Sequence, residues 1–67
     1  MEIEIRYRGK KQVLKFDKST VTALDILKTL GLSSEHAFVI KNGEIAQEND
    51  IVTPQDEIKV VNAISGG

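Results

Sequence analysis

The last residues of the chain, Gly66 and Gly67, are the ones whose type and spacing could do chemistry. Two glycines after a strand cost backbone entropy and cannot pack, so a structural role explains them poorly. Without Cβ atoms they can thread a narrow slot in an enzyme, and Ile64 and Ser65 would enter it ahead of them. The alternative interpretation is a frayed chain end, where glycine often collects.

The reacting group would be the terminal carboxylate of Gly67. Such a group has a reference pKa of about 3.3–3.7, so at neutral pH it is ionised and a poor acyl donor. Adenylation by ATP is the usual activation. Sulfide or a persulfide can then displace AMP to leave a thiocarboxylate, or a lysine amine can displace it to leave an isopeptide.

The chain itself has no ATP site that can be recognised from sequence. The pair Lys18-Ser19 follows Asp17, where a phosphate-binding loop requires glycine. We therefore expect this chain to bind no cofactor, and we expect a partner enzyme to use the ATP.

Other side-chain chemistry is excluded. Cysteine is absent, which rules out a thiol nucleophile, a disulfide and a thiolate zinc site, and His36 is the single histidine. Acidic pairs such as Glu2 and Glu4 are expected to be solvated surface, because a chain of 67 residues has little room for a substrate cleft. We predict no catalytic residue, no metal site and no independent enzymatic activity.

Composition limits the partners. A chain of 67 residues forms one small domain, and its net charge of -1 provides no field to attract nucleic acid or an anionic membrane. No segment approaches the roughly 20 apolar residues of a membrane span, and no basic and apolar leader opens the chain. We expect a cytoplasmic protein with no direct nucleic-acid or membrane partner.

Two strands and a helix are predicted in the first half. Apolar residues alternate with polar ones over residues 1–8 and residues 14–16, with a polar turn at residues 8–11, which indicates an antiparallel hairpin. The period then becomes helical, with Leu24, Leu27 and Leu30 three apart.

The ends of this helix are marked by specific residues. Thr22 and Asp25 can form a variant of the capping box, and Val21 and Ile26 are placed for a hydrophobic staple. Gly31 supplies the left-handed residue that ends the helix.

The second half predicts three more strands. Residues 37–40 indicate a buried strand, Asn42-Gly43 is a strong hairpin signal, and residues 44–46 form a brief return strand. Alternation over residues 58–60 predicts the last strand.

One helix among these strands can bury its apolar stripe only across a sheet. The element order therefore predicts an α+β fold of the β-grasp, ubiquitin-like kind, a mixed sheet of four to five strands with one main helix packed on one face. First and last strands would lie parallel, so that the chain end leaves from the middle of the sheet. We expect a domain of residues 1–62 and a flexible tail of residues 63–67, reaching roughly 13–17 Å.

A partner docking patch is predicted beside the tail. If the alternating apolar residues of the strands face the helix, Val13 and Val61 point away from it, and Ala63 follows. Phe38 or Val39 must join them because both cannot point inward, and we assign Phe38. Such a patch suits a docking surface, although scattered surface valines are also normal.

Short motifs stand at four places along the chain: Thr20-Val21, Asn42-Gly43, Gln55-Asp56-Glu57-Ile58 and Ile64-Ser65-Gly66-Gly67. Together they resemble those of the ThiS/MoaD-type sulfur carriers along the full length of the chain. The terminal Gly-Gly is the sharp motif, and Gln55 departs from the glycine that is common at its position.

The resemblance implies that a ubiquitin-activating-type enzyme adenylates Gly67, which then becomes a thiocarboxylate that donates sulfur. Gly66 and Ser65 would thread the channel of that enzyme. A sulfur-accepting synthase or a tRNA thiolation enzyme would use the sulfur for thiamine thiazole, molybdopterin or a tRNA base. Molybdopterin carriers often have prolines before the tail, and Asn62-Ala63 has none, which favours the thiamine or tRNA branch.

Two other functions fit the same sequence. In the first, a ubiquitin-like protein modifier, Gly67 is joined to lysines of target proteins. In the second, a β-grasp binding module, the tail does no chemistry, and deletion of Gly66 and Gly67 leaves activity intact.

Overall fold

The computed structural model of the protein describes residues 1–63, which form one helix and two sheets. No helix in this part of the chain is long and apolar enough to cross a membrane. The elements in chain order are β1 (Glu2–Tyr7), β2 (Lys10–Lys15), β3 (Val21–Thr22), α1 (Ala23–Thr29), β4 (Ala37–Lys41), β5 (Glu44–Ala46), β6 (Ile51–Val52) and β7 (Ile58–Asn62).

The larger sheet is mixed and has five strands in the order β2-β1-β7-β4-β5. Strands β1 and β7 are parallel, with Ile5 opposite Ile58 and Tyr7 opposite Val60, and the other pairs are antiparallel. The predicted β-grasp fold is confirmed, including the central position of the last strand.

A second sheet of two short strands was not predicted from the sequence. Strand β3 pairs with β6, with Val21 opposite Val52 and Thr22 opposite Ile51. Two residues are too few to show an alternating pattern, and the strands are distant in sequence, so no local signal marks them. Val21 is therefore a strand residue, and the helix begins after it.

Both predicted ends of α1 are confirmed. The Thr22 hydroxyl accepts a hydrogen bond from the Asp25 N–H at 3.3 Å, and Asp25 Oδ2 accepts one from the Thr22 N–H at 3.0 Å. At the other end Gly31 has a φ of 74°, and its N–H donates to the Lys28 carbonyl, while the Leu32 N–H reaches back to the Leu27 carbonyl at 2.9 Å. These two bonds form a Schellman motif.

Lys18, which precedes the helix, forms an ion pair with Asp25 in the first turn of α1. Its Nζ lies 2.8 Å from Asp25 Oδ1. This hydrogen-bonded pairing, together with the Thr22 N–H, lowers the pKa of Asp25 below its usual value. The carboxylate therefore stays charged at the helix N-terminus, where negative charge is favourable.

The core lies between α1 and the larger sheet. On the helix it is formed by Ala23, Ile26 and Leu27. Of the other two leucines at helical spacing, Leu30 is partly buried and packs against the core, and Leu24 is half-buried. The buried residues are Ile3, Ile5, Leu14, Val21, Ala23, Ile26, Leu27, Ala37, Val39, Val52, Ile58 and Val60.

Both hairpins of the larger sheet turn on two residues with positive φ. The second uses Asn42 and Gly43, at 53° and 85°, as predicted. The first uses Arg8 and Gly9, at 56° and 76°, so β2 begins at Lys10 and the turn is shorter than the predicted residues 8–11. A two-residue turn of this kind matches the twist of the strands and favours Asn or Gly at its first position, which makes Arg8 unusual.

Candidate functional site

The C-terminal end of β7 brings the chain end to the middle of the sheet. Strand β7 lies between β1 and β4, and β1 runs parallel to it, so both strands end at the same edge of the sheet. The Ala63 N–H donates to the His36 carbonyl at 2.6 Å. Ala63, which the sequence assigned to the tail, is therefore still hydrogen-bonded to the domain.

The carbonyl that holds Ala63 belongs to a compact turn. The Ser33 carbonyl accepts from the N–H groups of His36 and Ala37, at 3.1 and 2.9 Å, and the Ser33 hydroxyl accepts from the Glu35 N–H at 3.2 Å. These bonds fix the backbone of His36 before β4 starts. The last described residue of the chain is thus hydrogen-bonded to the turn that precedes β4.

The four remaining residues of the predicted site lie outside the described residues. They are the reacting residue and the three that precede it: Ile64, Ser65, Gly66 and Gly67. Their roles stay predictions.

Phe38 and Val61 face each other across strands β4 and β7 on the side of the sheet away from the helix. Val39, the neighbour of Phe38, is 1% exposed and belongs to the core, so Phe38 is the outward residue of the two. Ala63 comes two residues after Val61, just beyond the end of β7, and is exposed. The structure thus brings three of the predicted docking residues together at the end of the sheet.

Sequence reasoning missed two residues of the same surface, Ile40 and Ile45. They are opposite each other on β4 and β5, and Ile45 is 70% exposed. Alternation along β4 and the two-residue turn at Asn42-Gly43 were enough to predict this pairing. We call Phe38, Ile40, Ile45 and Val61 the outer apolar cluster.

Val13 is not part of this cluster. It lies on β2 opposite Glu4 of β1, and β1 separates it from β7. The structure therefore separates Val13 from the patch in which the sequence placed it, because β1 lies between β2 and β7. Val13 is nevertheless 54% exposed, which makes it a useful control position on the same face.

A polar network fixes the β4–β5 hairpin, and with it part of the outer apolar cluster. Asn42 Nδ2 donates to Asp56 Oδ1 at 3.0 Å, and Asn42 Oδ1 accepts from the Glu57 N–H at 2.8 Å. Asp56 Oδ2 also accepts from the N–H and the hydroxyl of Thr53. The turn after β4 is thereby joined to the loop that precedes β7.

This network makes the stability of the fold depend on pH. The hydrogen bond from Asn42, followed by that from the Thr53 N–H, lowers the pKa of Asp56. A carboxyl group with a lowered folded-state pKa stabilises the fold above its unfolded pKa of about 3.9, and this contribution is lost as the pH falls through the folded value.

We expect Asp56→Ala to be less stable than the parent protein at neutral pH and to lose less stability on acidification. Urea unfolding at neutral pH and below the folded-state pKa of Asp56 measures both effects. Asp17→Ala, which removes an exposed carboxylate outside the network, is the control. An equal loss on acidification in Asp56→Ala and in the parent would contradict the prediction.

Within residues 1–63, no group of three or more His, Cys, Asp or Glu side chains could hold a metal ion.

Comparison with known proteins decides the family. The sequence profile of the ThiS family matches residues 4–67. The chain belongs to the ThiS family. A comparison with curated proteins found no match.

Two solved structures share the fold of this ThiS-family chain. SAMP1 from Haloferax volcanii is 20% identical with a TM-score of 0.71, and the match covers 100% of both chains. A computationally designed protein based on the template of human erythrocytic ubiquitin is 28% identical with a TM-score of 0.63, over 98% of this chain and 95% of that one. The ubiquitin-like β-grasp fold is thus established independently of the family match.

Family membership also defines the general role. ThiS-family proteins are small ubiquitin-like carriers rather than enzymes, and they generally work with activating enzymes of the ubiquitin-activating type. This chain is accordingly a ubiquitin-like sulfur carrier or modifier in general terms.

Proposed function

We propose that this protein carries sulfur on the carboxyl group of Gly67. A partner enzyme adenylates the group with ATP, and the product is converted to a thiocarboxylate. The β-grasp domain presents the terminus and supplies no reacting side chain.

The bond changes balance without an oxidant in the sulfide route. A carboxylate oxygen of Gly67 attacks the α-phosphorus of ATP, and pyrophosphate leaves. Hydrosulfide then attacks the carbonyl carbon of the acyl adenylate, and AMP departs with the oxygen that formed the mixed anhydride. The thiol proton passes to solvent, which leaves a thiocarboxylate whose sulfur is a nucleophile for the next acceptor.

The observation that carries the proposal is that the family match runs through Gly66 to Gly67. The geometry of the described residues supports it. Because Ala63 is held by His36, the four residues beyond it can span at most about 13–14 Å. That length suits a channel in a partner enzyme while the domain stays outside.

For the acceptor we propose thiamine thiazole or a tRNA base rather than molybdopterin. The support is the absence of proline at Asn62 and Ala63, since Pro54 is the single proline of the chain. The acceptor would be bound by a separate synthase or thiolation enzyme.

Intact mass spectrometry tests the proposed function. The protein is purified from its native cells, or incubated with ATP, sulfide and the activating enzyme of the same organism. A gain of roughly 16 Da located at Gly67, oxygen replaced by sulfur, is the expected result. An unmodified terminus together with a pool of Gly67 linked to lysines of other proteins would replace the carrier function with that of a modifier.

We further propose that the outer apolar cluster and Ala63 contact the activating enzyme. Val61→Gln is expected to weaken the affinity for that enzyme about tenfold, because a polar side chain replaces an apolar contact beside the tail. Isothermal titration calorimetry measures the affinity. Val13→Gln makes the same change on the same face two strands away, and an equal loss in both variants would count against the docking role of the cluster.

A further inference from the structure

A row of three cations crosses the outer face of the larger sheet. Arg6 on β1 is opposite Lys11 on β2 and also opposite Lys59 on β7. All three side chains are exposed and lie on the face away from the helix, because Ile5 and Ile58 beside them are buried. We call Lys11, Arg6 and Lys59 the cation row.

The cation row is unfavourable for the isolated domain. Like charges directly opposite on neighbouring strands, about 5 Å apart, destabilise a sheet. Among residues 1–63 the structure shows one ion pair with a nitrogen–oxygen distance within 4.0 Å, Lys18–Asp25. No described carboxylate therefore lies within that distance of a charged nitrogen of the cation row. Glu4, Asp56 and Glu57 line the same shallow depression as Arg6 and Lys11, and none of the three forms an ion pair with the row within 4.0 Å.

Arg8 extends this basic surface toward the chain end. It follows Tyr7, whose partner on β7 is Val60, so Arg8 and Val61 come to the same edge of the sheet. The φ of Arg8 is 56°, a region that a long side chain adopts at a cost and that glycine adopts freely. Arginine at this position is therefore not explained by the turn.

The row continues directly into the outer apolar cluster. Lys59 is opposite Ile40 on β4, and Ile40 is opposite Ile45 on β5. The cation row and the outer apolar cluster thus meet at Lys59, while Glu4 and Val13 lie on the same face beside the row. A partner that covers the cation row and the outer apolar cluster must combine carboxylates with apolar groups, which is the chemistry of a protein surface rather than of a phosphate backbone.

We propose that the cation row and Arg8 bind a carboxylate-rich surface of the protein that receives the tail. The inference rests on the proposed function and names the chemistry of its partner. Charges at the rim of an interface act mainly on the rate and salt dependence of association, so the contact would guide the terminus into the partner.

A first experiment requires neither the activating enzyme nor Gly67. The ¹⁵N-labelled chain is titrated in NMR spectra with a synthetic peptide of alternating Glu and Leu. The expected result is shifts confined to the amides of the cation row, Arg8 and the outer apolar cluster. These shifts should become smaller when the salt concentration is raised from about 0.01 M to about 0.15 M, because the screening length then falls from roughly 30 to roughly 8 Å.

Two probes serve as controls in the same titration. A peptide of alternating Lys and Leu should cause no shifts at the cation row. Single-stranded oligouridine should cause weaker shifts than the acidic peptide. Stronger shifts with oligouridine, or none with the acidic peptide, would overturn the proposal, whatever chemistry occurs at Gly67.

A second experiment separates function from stability at Arg8. Arg8→Gly should raise the melting temperature, because glycine removes the backbone strain, and should weaken affinity for the activating enzyme about threefold. Arg6→Glu, in the middle of the row, should weaken it about tenfold.

Lys28→Glu, which reverses an exposed charge on α1, is the matched control and should leave the affinity unchanged. If Arg8→Gly and Arg6→Glu bind as the parent does while adenylation of Gly67 proceeds, the docking proposal is wrong and the proposed function stands.

Discussion

Deletion of Gly67 is expected to abolish formation of the adenylate and of the thiocarboxylate while the domain remains folded. The deletion withdraws the carboxylate by one residue, roughly 3.3 Å. Since a misplacement of about 1 Å can cost about 100-fold in rate, we expect a loss of more than about 100-fold. ATP–pyrophosphate exchange with the activating enzyme and intact mass spectrometry measure the two steps.

Ser65→Ala is a suitable control for this deletion, because it changes the tail without shortening it. Circular dichroism should show the same fold in both variants, since no core residue is altered. If the shortened chain kept full biological activity, the carrier and modifier functions would both fail, and a β-grasp binding module without tail chemistry would be the correct function.

Ile26→Ala is expected to remove most of the free energy of unfolding of the protein at room temperature. Ile26 is fully buried in the contact between α1 and the larger sheet. Truncating a buried isoleucine to alanine costs about 2–5 kcal/mol, and a core in a domain of this size supplies only about 3–5 kcal/mol. Urea unfolding monitored by circular dichroism gives the free energy of unfolding of both proteins.

The matched control is Ile45→Ala, the same substitution at a side chain that is 70% exposed. Its free energy of unfolding should stay within about 0.5 kcal/mol of the parent value. A loss below about 1 kcal/mol for Ile26→Ala would mean that the helix contributes less to the core than its burial indicates.

These variants also separate stability from docking. Ile45 belongs to the outer apolar cluster, so Ile45→Ala should reduce affinity for the activating enzyme without reducing stability. Ile26→Ala should reduce both, because the cluster depends on the sheet that Ile26 supports. Measuring each variant in both assays therefore shows which apolar residues hold the fold and which meet the partner.

The sequence by itself determined the elements whose signals are local. Thr22 and Asp25 marked the start of α1 and Gly31 its end, because capping bonds form between residues a few positions apart. Asn42-Gly43 marked the second hairpin, since its backbone favours the left-handed conformation that the turn requires. Because the apolar stripe of the one helix must pack on a sheet, the order of the elements then predicted the β-grasp fold.

The tertiary structure alone decided the features that depend on residues distant in sequence. Pairing of Val21 with Val52 made a second sheet from strands too short to carry a pattern. Strand β1 lies between β2 and β7, which separates Val13 from Val61, and its register against both neighbours aligns Arg6 with Lys11 and Lys59.

The attachment of Ala63 to the sheet was decided in the same way. The hydrogen bond from Ala63 to His36 depends on the register between β4 and β7, which no single strand encodes. The physical reason is common to these cases. Local backbone chemistry specifies where strands and helices start and end, whereas strand order and register are set by how the apolar faces pack together in one core.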